Sequence, residues 1–268
     1  MTPGKHNFNI FAFPPKPGSR FRWLEKMGSW WSSTSTSSSS SYKDQSWEEA
    51  HDPKPVPQRK RPDEVRIGVV GDPGAGKSTF INSVRGLRPR DPGAARVGLT
   101  HTTAEPTEYP HPDLPDSLVL VDFPGVLLRR HAGRYGDFNI GQYLTEFGSY
   151  MRSCDVFLVF CRGRIEHNPI SIAMAAYRMG KKVLFVRSQF DKDVADKEND
   201  DPEYFDDKCS VHLMEELRQD YIRVLREVGW PRDVREDEVF IISGRLEYVT
   251  QDMWDVLELK MAIFGQRV

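Results

Sequence analysis

Residues 71–78 read Gly71-Asp72-Pro73-Gly74-Ala75-Gly76-Lys77-Ser78, and this stretch decides the fold. It fits G-x-x-x-x-G-K-[ST], the pattern of a phosphate-binding loop. The apolar run 65–70 before it predicts a strand, and residues 77–85 after it have a helical pattern. A loop between a strand and a helix brings backbone N–H groups and a helix N-terminus together, and both attract phosphate. The stretch therefore predicts a P-loop.

Individual residues of this loop have distinct predicted roles. Gly74 and Gly76 let the chain curl closely around an anion, and Lys77 can reach the β- and γ-phosphates of a nucleotide. The hydroxyl of Ser78 is the kind of oxygen ligand that Mg²⁺ prefers. We therefore expect a nucleoside triphosphate and Mg²⁺ to bind at this loop.

From residue 63 onward, short apolar runs alternate with helical patterns. The run 156–160 contains no polar residue, which is typical of a strand buried on both faces. The alternation predicts βαβ units and hence an α/β fold, with a mostly parallel sheet and helices on both faces. Strands are predicted at 65–70, 107–109, 117–121, 156–160, 182–186 and 238–242, and helices at 77–85, 135–151, 170–179, 209–228 and 251–264.

The N-terminal part of the chain has a different composition. Serine and proline are concentrated in residues 1–62, which predicts a disordered tail followed by one domain over residues 63–268. Trp23, Trp30 and Trp31 interrupt the tail, with basic residues close by. Tryptophan beside Lys and Arg suits a membrane surface. The alternative is an exposed apolar patch in a disordered segment.

Charge and cysteine content exclude several classes of partner. The chain has 37 basic and 39 acidic residues, so no overall field attracts nucleic acid, and we expect none as a partner. Cys154, Cys161 and Cys209 lack zinc-ligand spacing and imply no disulfide framework. No apolar run approaches the ~18 residues of a membrane span. We expect a cytoplasmic protein, with peripheral attachment to intracellular membranes as a further option.

A second motif, Asp122-Phe123-Pro124-Gly125, follows the predicted strand 117–121. In P-loop proteins, an aspartate at the end of such a strand supports the bound Mg²⁺. Gly125 can offer its backbone N–H to the γ-phosphate. In the polar stretch before this strand, Thr103 and then Thr102 are our candidates for a loop hydroxyl that contacts Mg²⁺ and the γ-phosphate. The alternative is ordinary loop chemistry.

The residues after Gly125 bear on turnover. Many GTPases have a glutamine there that orients the attacking water, whereas this chain has Val126, Leu127 and Leu128. Hydrolysis therefore needs another arrangement, such as groups supplied by a partner or a second protomer.

The base-binding end is predicted after the strand 182–186. Asp191 stands where a carboxylate can accept both N1–H and N2–H₂ of guanine, a pair of donors that adenine lacks. The usual pattern is [NT]-K-x-D, but here Ser188 and Gln189 replace its first two residues. An ordinary helix N-cap is the alternative role for Asp191. After the last predicted strand, the backbone N–H groups of Ser243 and Gly244 can reach the base carbonyl oxygen.

Taken together, these motifs resemble the immunity-related GTPases, which are interferon-inducible in vertebrates. The resemblance covers most of residues 63–268, that is, the GTPase domain only. It rests on Gly71-Asp72-Pro73-Gly74-Ala75-Gly76-Lys77-Ser78-Thr79-Phe80-Ile81-Asn82, Arg85-Gly86-Leu87, Gly93-Ala94-Ala95, Tyr109-Pro110-His111-Pro112, Asp122-Phe123-Pro124-Gly125, Arg164-Ile165-Glu166-His167-Asn168, Phe185-Val186-Arg187 and Phe240-Ile241-Ile242-Ser243.

The resemblance implies a Ras-like P-loop domain that binds GTP and GDP and hydrolyses GTP slowly with Mg²⁺. It also implies homo- or hetero-association through the nucleotide face and innate defence at intracellular membranes. A GTP-binding scaffold without turnover is the alternative. The predicted nucleotide-binding residues are Gly71, Asp72, Gly74, Ala75, Gly76, Lys77, Ser78, Thr79, Thr102, Thr103, Gly125, Gln189, Asp191, Ser243 and Gly244. The predicted catalytic residues are Lys77, Thr103 and Gly125, and the predicted metal ligands are Ser78, Thr103 and Asp122.

Overall fold

A computed structural model of the protein describes residues 57–59, 61–98, 105–125, 130–131, 134–135, 138–163, 165, 167–200, 202 and 206–264. The tryptophans of the predicted tail, Trp23, Trp30 and Trp31, lie outside the described residues. The two threonine candidates, Thr102 and Thr103, lie outside them as well. The predicted division into a tail and one domain stays a prediction.

A six-stranded sheet forms the centre of the described part, in the order β2-β3-β1-β6-β7-β8. Strand β1 is parallel to both β3 and β6, whereas β2 pairs antiparallel with β3 at one edge. The predicted mostly parallel sheet is confirmed. Its strands are β1 (Val65–Gly71), β2 (Thr107–His111), β3 (Leu114–Asp122), β6 (Val156–Arg162), β7 (Lys182–Ser188) and β8 (Val239–Ile241), and β4 (Arg130–His131) and β5 (Arg134–Tyr135) form a separate pair.

Helices cover both faces of this sheet, as predicted, because successive strand residues point to opposite sides. Val69 packs with the core beside α1, α6 and α7, and its neighbour Val70 packs with the core beside α2, α3 and α5. Among the described residues, no helix combines the length and apolarity needed to cross a membrane. The helices are α1 (Lys77–Val84), α2 (Ile140–Ser153), α3 (His167–Arg178), α4 (Phe190–Asp200), α5 (Asp207–Glu227), α6 (Leu246–Thr250) and α7 (Val256–Phe264).

Two helical predictions need correction, and one helix was missing from the predictions. The helix predicted from residue 135 begins at Ile140, because Asn139 Oδ1 accepts a bond from the N–H of Gln142 and caps it. The helix predicted over 251–264 begins only at Val256, because residues 251–255 form turns with positive φ at Asp252 and Trp254. Helix α4 was implied only by the alternative role of Asp191 as an N-cap, because Phe190 is its one buried residue and the apolar period is absent.

Strand β1 ends at Gly71, which lies opposite Phe160 of the parallel neighbouring strand β6. A Cβ atom at Gly71 would lie 2.1 Å from the carbonyl oxygen of Phe160, and the residue has φ +144°. Any side chain at this position would collide with the backbone of β6, so no other residue type fits. The chain therefore leaves the sheet here and forms the loop at the edge where Asp122 and Ser188 also end their strands.

Candidate functional site

A cleft of about 680 Å³ opens at the carboxyl ends of β1, β3, β7 and β8. Ligands of open α/β sheets bind at this edge. Among the predicted residues, those that line the cleft are Gly74, Gly76, Lys77, Ser78, Thr79, Gly125, Gln189, Asp191, Ser243 and Gly244. Gly71, Asp72, Ala75 and Asp122 do not line it, although they belong to the segments that form its floor.

The phosphate loop folds around the ammonium group of Lys77. Its Nζ donates to the carbonyl oxygens of Gly71 and Asp72, both at 3.0 Å, and Lys77 is 7% exposed. Burial lowers the pKa of Lys77, while the carboxylates of Asp122 and Asp72 act in the opposite direction. Gly76 adopts the left-handed conformation, with φ +87°, directly before α1. The backbone N–H groups of the first turn of α1 thus face the cleft beside a buried cation.

The two described candidates for metal binding are in direct contact. Ser78 Oγ donates to Asp122 Oδ2 at 2.8 Å, and Asp122 is 1% exposed. A hydroxyl and a carboxylate are hard oxygen ligands, and Mg²⁺ usually takes one or two such protein ligands together with phosphate oxygens. The donor set therefore fits Mg²⁺. The third candidate, Thr103, lies outside the described residues.

Gly125 lies against the phosphate loop itself. A Cβ atom there would be 2.9 Å from Cγ and 3.0 Å from the nitrogen of Pro73. The first distance is one that real Cβ atoms essentially never show and the second is tighter than nine in ten real Cβ contacts, so the segment after β3 approaches the loop through a bare backbone. The backbone N–H of Gly125 is thereby held at the phosphate end of the cleft.

Asp191 lies at the opposite end of the cleft, in the first turn of α4. It follows the first helical residue, Phe190, and is therefore not at the N-cap position that the alternative interpretation gave it. Its side chain is 8% exposed, and Oδ2 accepts from Arg245 Nη1 at 3.4 Å. Oδ1 is buried and meets no donor among the described residues. A buried carboxylate oxygen that lines a cleft is costly unless a ligand supplies a donor.

The loop after β7 is tied to the phosphate loop by two side chains. Ser188 Oγ donates to the carbonyl oxygen of Ala75 at 2.6 Å, and Gln189 Nε2 donates to that of Gly74 at 2.7 Å. Both side chains depart from the usual base-binding pattern, yet both bind the loop backbone. The two ends of the cleft are therefore held at a fixed separation.

The loop after β8 closes the same end of the cleft. Ser243 is fully buried, and a Cβ atom at Gly244 would lie 3.3 Å from Cβ of Phe80 in α1. This loop thus packs on the helix that begins at the phosphate loop. Arg245 then pairs with both Asp191 and Glu247, at 3.4 Å and 3.3 Å.

Several residues that line the cleft were not predicted as nucleotide ligands: Pro73, Val97, Gly98, Ser188, Lys192, Ala195, Arg245 and Tyr248. Position in the sequence gave a signal for four of them, since Pro73 and Ser188 lie within the two motifs themselves, Arg245 directly follows Ser243-Gly244 and Lys192 directly follows Asp191. Tyr248 gave none, because it enters the cleft only through the turn of α6.

The sequence was compared with known families and curated proteins once this geometry was established. The sequence model described as "Interferon-inducible GTPase (IIGP)" matches residues 55–260. Interferon-inducible GTPase 5 of Bos taurus is 37% identical over 182 residues, which cover 67% of this chain and 35% of that protein.

Two mouse proteins show the same relationship. T-cell-specific guanine nucleotide triphosphate-binding protein 2 of Mus musculus is 37% identical over 164 residues, covering 57% of this chain and 37% of that protein. Interferon-inducible GTPase 1 of Mus musculus is 30% identical over 181 residues, covering 68% and 40%. The chain thus spans well under half the length of the curated relatives it matches.

Proposed function

Because this chain belongs to the interferon-inducible GTPase family, we propose that it binds GTP and GDP in the cleft and hydrolyses GTP to GDP and phosphate with Mg²⁺. The observation that carries the proposal is that one cleft joins the phosphate loop at one end to the buried carboxylate of Asp191 at the other. A nucleoside triphosphate has the same order of groups along its length. The confirmed P-loop fold gives this cleft its usual place at the sheet edge.

Lys77 has the central role at the phosphate end. Its ammonium group now donates to two carbonyl oxygens, and in the complex it would donate to β- and γ-phosphate oxygens instead. Burial already disfavours the charged form of Lys77 in the free protein. The negative charge of the bound phosphates would offset this effect. The N–H of Gly125 would donate to the γ-phosphate and thus distinguish GTP from GDP.

Ser78 and Asp122 would hold Mg²⁺ between them and the phosphates. The hydroxyl of Ser78 would ligate it directly, and Asp122 would support the ligand shell from the end of β3. Bound Mg²⁺ supplies positive charge that offsets the charge developing on the β- and γ-phosphate oxygens. Thr103, from the loop before β2, is proposed as a further ligand.

Asp191 would select guanine over adenine. Its unpartnered Oδ1 and the oxygen shared with Arg245 can accept N1–H and N2–H₂ of guanine, since each carboxylate oxygen has two lone pairs. The N–H groups at Ser243 and Gly244 would donate to the base carbonyl oxygen. One mouse relative is named as a guanine nucleotide triphosphate-binding protein, which supports this choice of base.

Nucleotide titration by calorimetry tests the binding step. We expect the protein to bind GDP and a non-hydrolysable GTP analogue, and to bind the matching ATP analogue at least tenfold more weakly. Lys77→Ala should abolish triphosphate binding, whereas Lys197→Ala, an exposed site in α4 outside the cleft lining, should leave it unchanged. Equal affinity for the ATP analogue would contradict the role of Asp191.

Turnover is tested separately, because Val126 stands at the position where many GTPases carry the water-orienting glutamine. We propose that groups supplied by a second protomer complete the site. Phosphate release per protomer should then rise with protein concentration. If release stays at the level of the protein-free control at every concentration, the protein is a GTP-binding scaffold.

The proposal also includes association through the nucleotide face and action at intracellular membranes. The family membership supports them, and so does the composition of the segment with Trp23, Trp30 and Trp31. We propose a cytoplasmic protein that attaches peripherally to such membranes in innate defence. Co-sedimentation with vesicles, with and without the GTP analogue, tests the attachment, and replacing the three tryptophans by serine should abolish it.

A further inference from the structure

Gln189 occupies the place where the usual base-binding pattern has lysine. Both the nitrogen and the oxygen of its side-chain amide make a hydrogen bond. Nε2 donates to the carbonyl oxygen of Gly74 at 2.7 Å, and Oε1 accepts from Nζ of Lys192 at 2.7 Å. The residue has φ +64°, in the left-handed region that residues other than glycine rarely adopt. The two hydrogen bonds of its side chain therefore hold Gln189 in this backbone conformation.

The two partners of Gln189 determine which way its amide points. A carbonyl oxygen only accepts hydrogen bonds, so the NH₂ group must face Gly74, and an ammonium group only donates, so the amide oxygen must face Lys192. The amide cannot be turned over without losing both bonds. Lys192 thus gives the glutamine a single orientation across the wall of the cleft.

The side chain of Lys192 makes no other hydrogen bond identified among the described residues, its backbone N–H donates to the carbonyl oxygen of Gln189 at 2.9 Å, and it lines the cleft three residues after Gln189. One helical turn brings its side chain back over the residue that precedes α4. The positive charge that the usual lysine would bring to the base-binding end is therefore present here, but it is displaced by three positions.

We propose that Gln189 and Lys192 act as one unit in place of the single lysine: Gln189 holds the phosphate loop and presents the flat face of its amide to the purine, and Lys192 fixes that face. This inference rests on the proposed function, because it assigns two roles within the same nucleotide site. Gln189 contacts the nucleotide, and Lys192 is a positioning residue that acts through Gln189. The unit supports the face of the base, whereas Asp191 recognises its edge.

A double-mutant cycle in the full chain tests this unit. Gln189→Asn keeps an amide and tolerates positive φ, but it is one methylene too short to reach Gly74. Lys192→Met keeps the length and removes the donor. We expect each change to weaken GDP binding by about threefold to tenfold, the loss typical of one hydrogen bond. The double variant should lose little beyond Gln189→Asn alone, since Lys192 acts only through Gln189.

Three further variants distinguish positioning from a general effect of charge or folding. Lys192→Arg should retain the wild-type affinity, because it restores a donor. Lys197→Met removes the same charge from the same helix outside the cleft lining and should change nothing. Gln189→Lys combined with Lys192→Met should restore affinity, because it rebuilds the usual lysine. Circular dichroism and thermal melting of each variant confirm that it is folded.

A second nucleotide separates support of the base face from recognition of its edge. Inosine diphosphate lacks the N2 amino group, so it differs from GDP only at the edge that faces Asp191. Each variant of the pair should weaken both diphosphates by the same factor. Additive losses in the cycle, wild-type affinity in Lys192→Met, or a loss confined to GDP would overturn the inference while guanine binding itself stands. Failure of the wild-type protein to bind either nucleotide would instead refute the proposed function.

Discussion

Adding one methyl group at Gly125 should weaken the binding of GTP more than the binding of GDP. In Gly125→Ala the new Cβ would lie 2.9 Å, 3.0 Å and 3.1 Å from three atoms of Pro73, and ordinary contact begins at 3.4 Å. The proline ring cannot rotate away, so the loop and the segment after β3 must separate by about 0.5 Å. Overpacking of this kind costs about 1–3 kcal/mol.

The overpacking should lower both the stability of the folded protein and its affinity for the ligand, because the strained contact lies at the proposed γ-phosphate site. We expect about a tenfold loss of affinity for a GTP analogue, equivalent to about 1.4 kcal/mol, and a smaller loss for GDP. Calorimetry measures both affinities. Gly148→Ala is the matched control, since its Cβ would meet Nη1 of the flexible Arg152 at 3.4 Å and Cβ of Leu144 at an ordinary 3.9 Å, and helix α2 should gain about 0.5–1 kcal/mol. A folded Gly125→Ala protein with an unchanged preference for the triphosphate would refute the reasoning.

Three further changes test other parts of the site and its supports. Asp191→Asn should abolish the preference for GDP over inosine diphosphate in calorimetry, because the amide repels one guanine donor; a retained preference would exclude Asp191 as the base reader. Asn82→Ala should reduce the free energy of unfolding by about 1–3 kcal/mol in urea titrations, because the buried Asn82 amide bonds both the N–H and the carbonyl of Ala95; an unchanged midpoint would contradict this. Burial lowers the pKa of His111, whose Nε2 binds the carbonyl of Val84. Because its pKa in the folded protein lies below the unfolded-state pKa of about 6.5, the contribution of His111 to stability is present above that pH and is lost as the pH falls. His111→Gln should therefore lose less stability than the wild type between pH 7 and pH 5, and parallel profiles would count against this account.

The sequence predicted the sheet well because its strands are buried on both faces. The runs that became β1, β6 and β7 have almost no polar residues, so their pattern had one interpretation. Helix α4 carried no such signal, because it holds its place through Phe190 and the end of the cleft rather than through an apolar face. The break before α7 was hidden as well: Trp254 adopts φ +56° and packs edge-on against Phe190 at 5.0 Å, which is a tertiary effect.

The location of several candidate site residues in the fold could be predicted, because these residues directly follow strands. The phosphate loop, Asp122 and Asp191 occupy positions set by strand ends, so spacing along the chain was sufficient. The role of Gln189 was not accessible in the same way. The sequence shows only that glutamine replaces the usual lysine, and the structure adds that its side chain reaches the carbonyl oxygen of Gly74. How far such a side chain reaches depends on packing, and no periodic pattern in the sequence predicts it.

The first glycine of the phosphate loop has a consequence for how such chains diverge. Gly71 is required by the close approach of β1 to the backbone of its neighbour β6, whereas Gly74 has open space around it and only a positive φ to satisfy, which asparagine or aspartate can also adopt. In a descendant that no longer needs a ligand, selection for folding alone would retain Gly71 while Gly74 drifted. The two glycines of one motif are thus under two different selective pressures. Retention of the first alone indicates an intact sheet rather than a working enzyme.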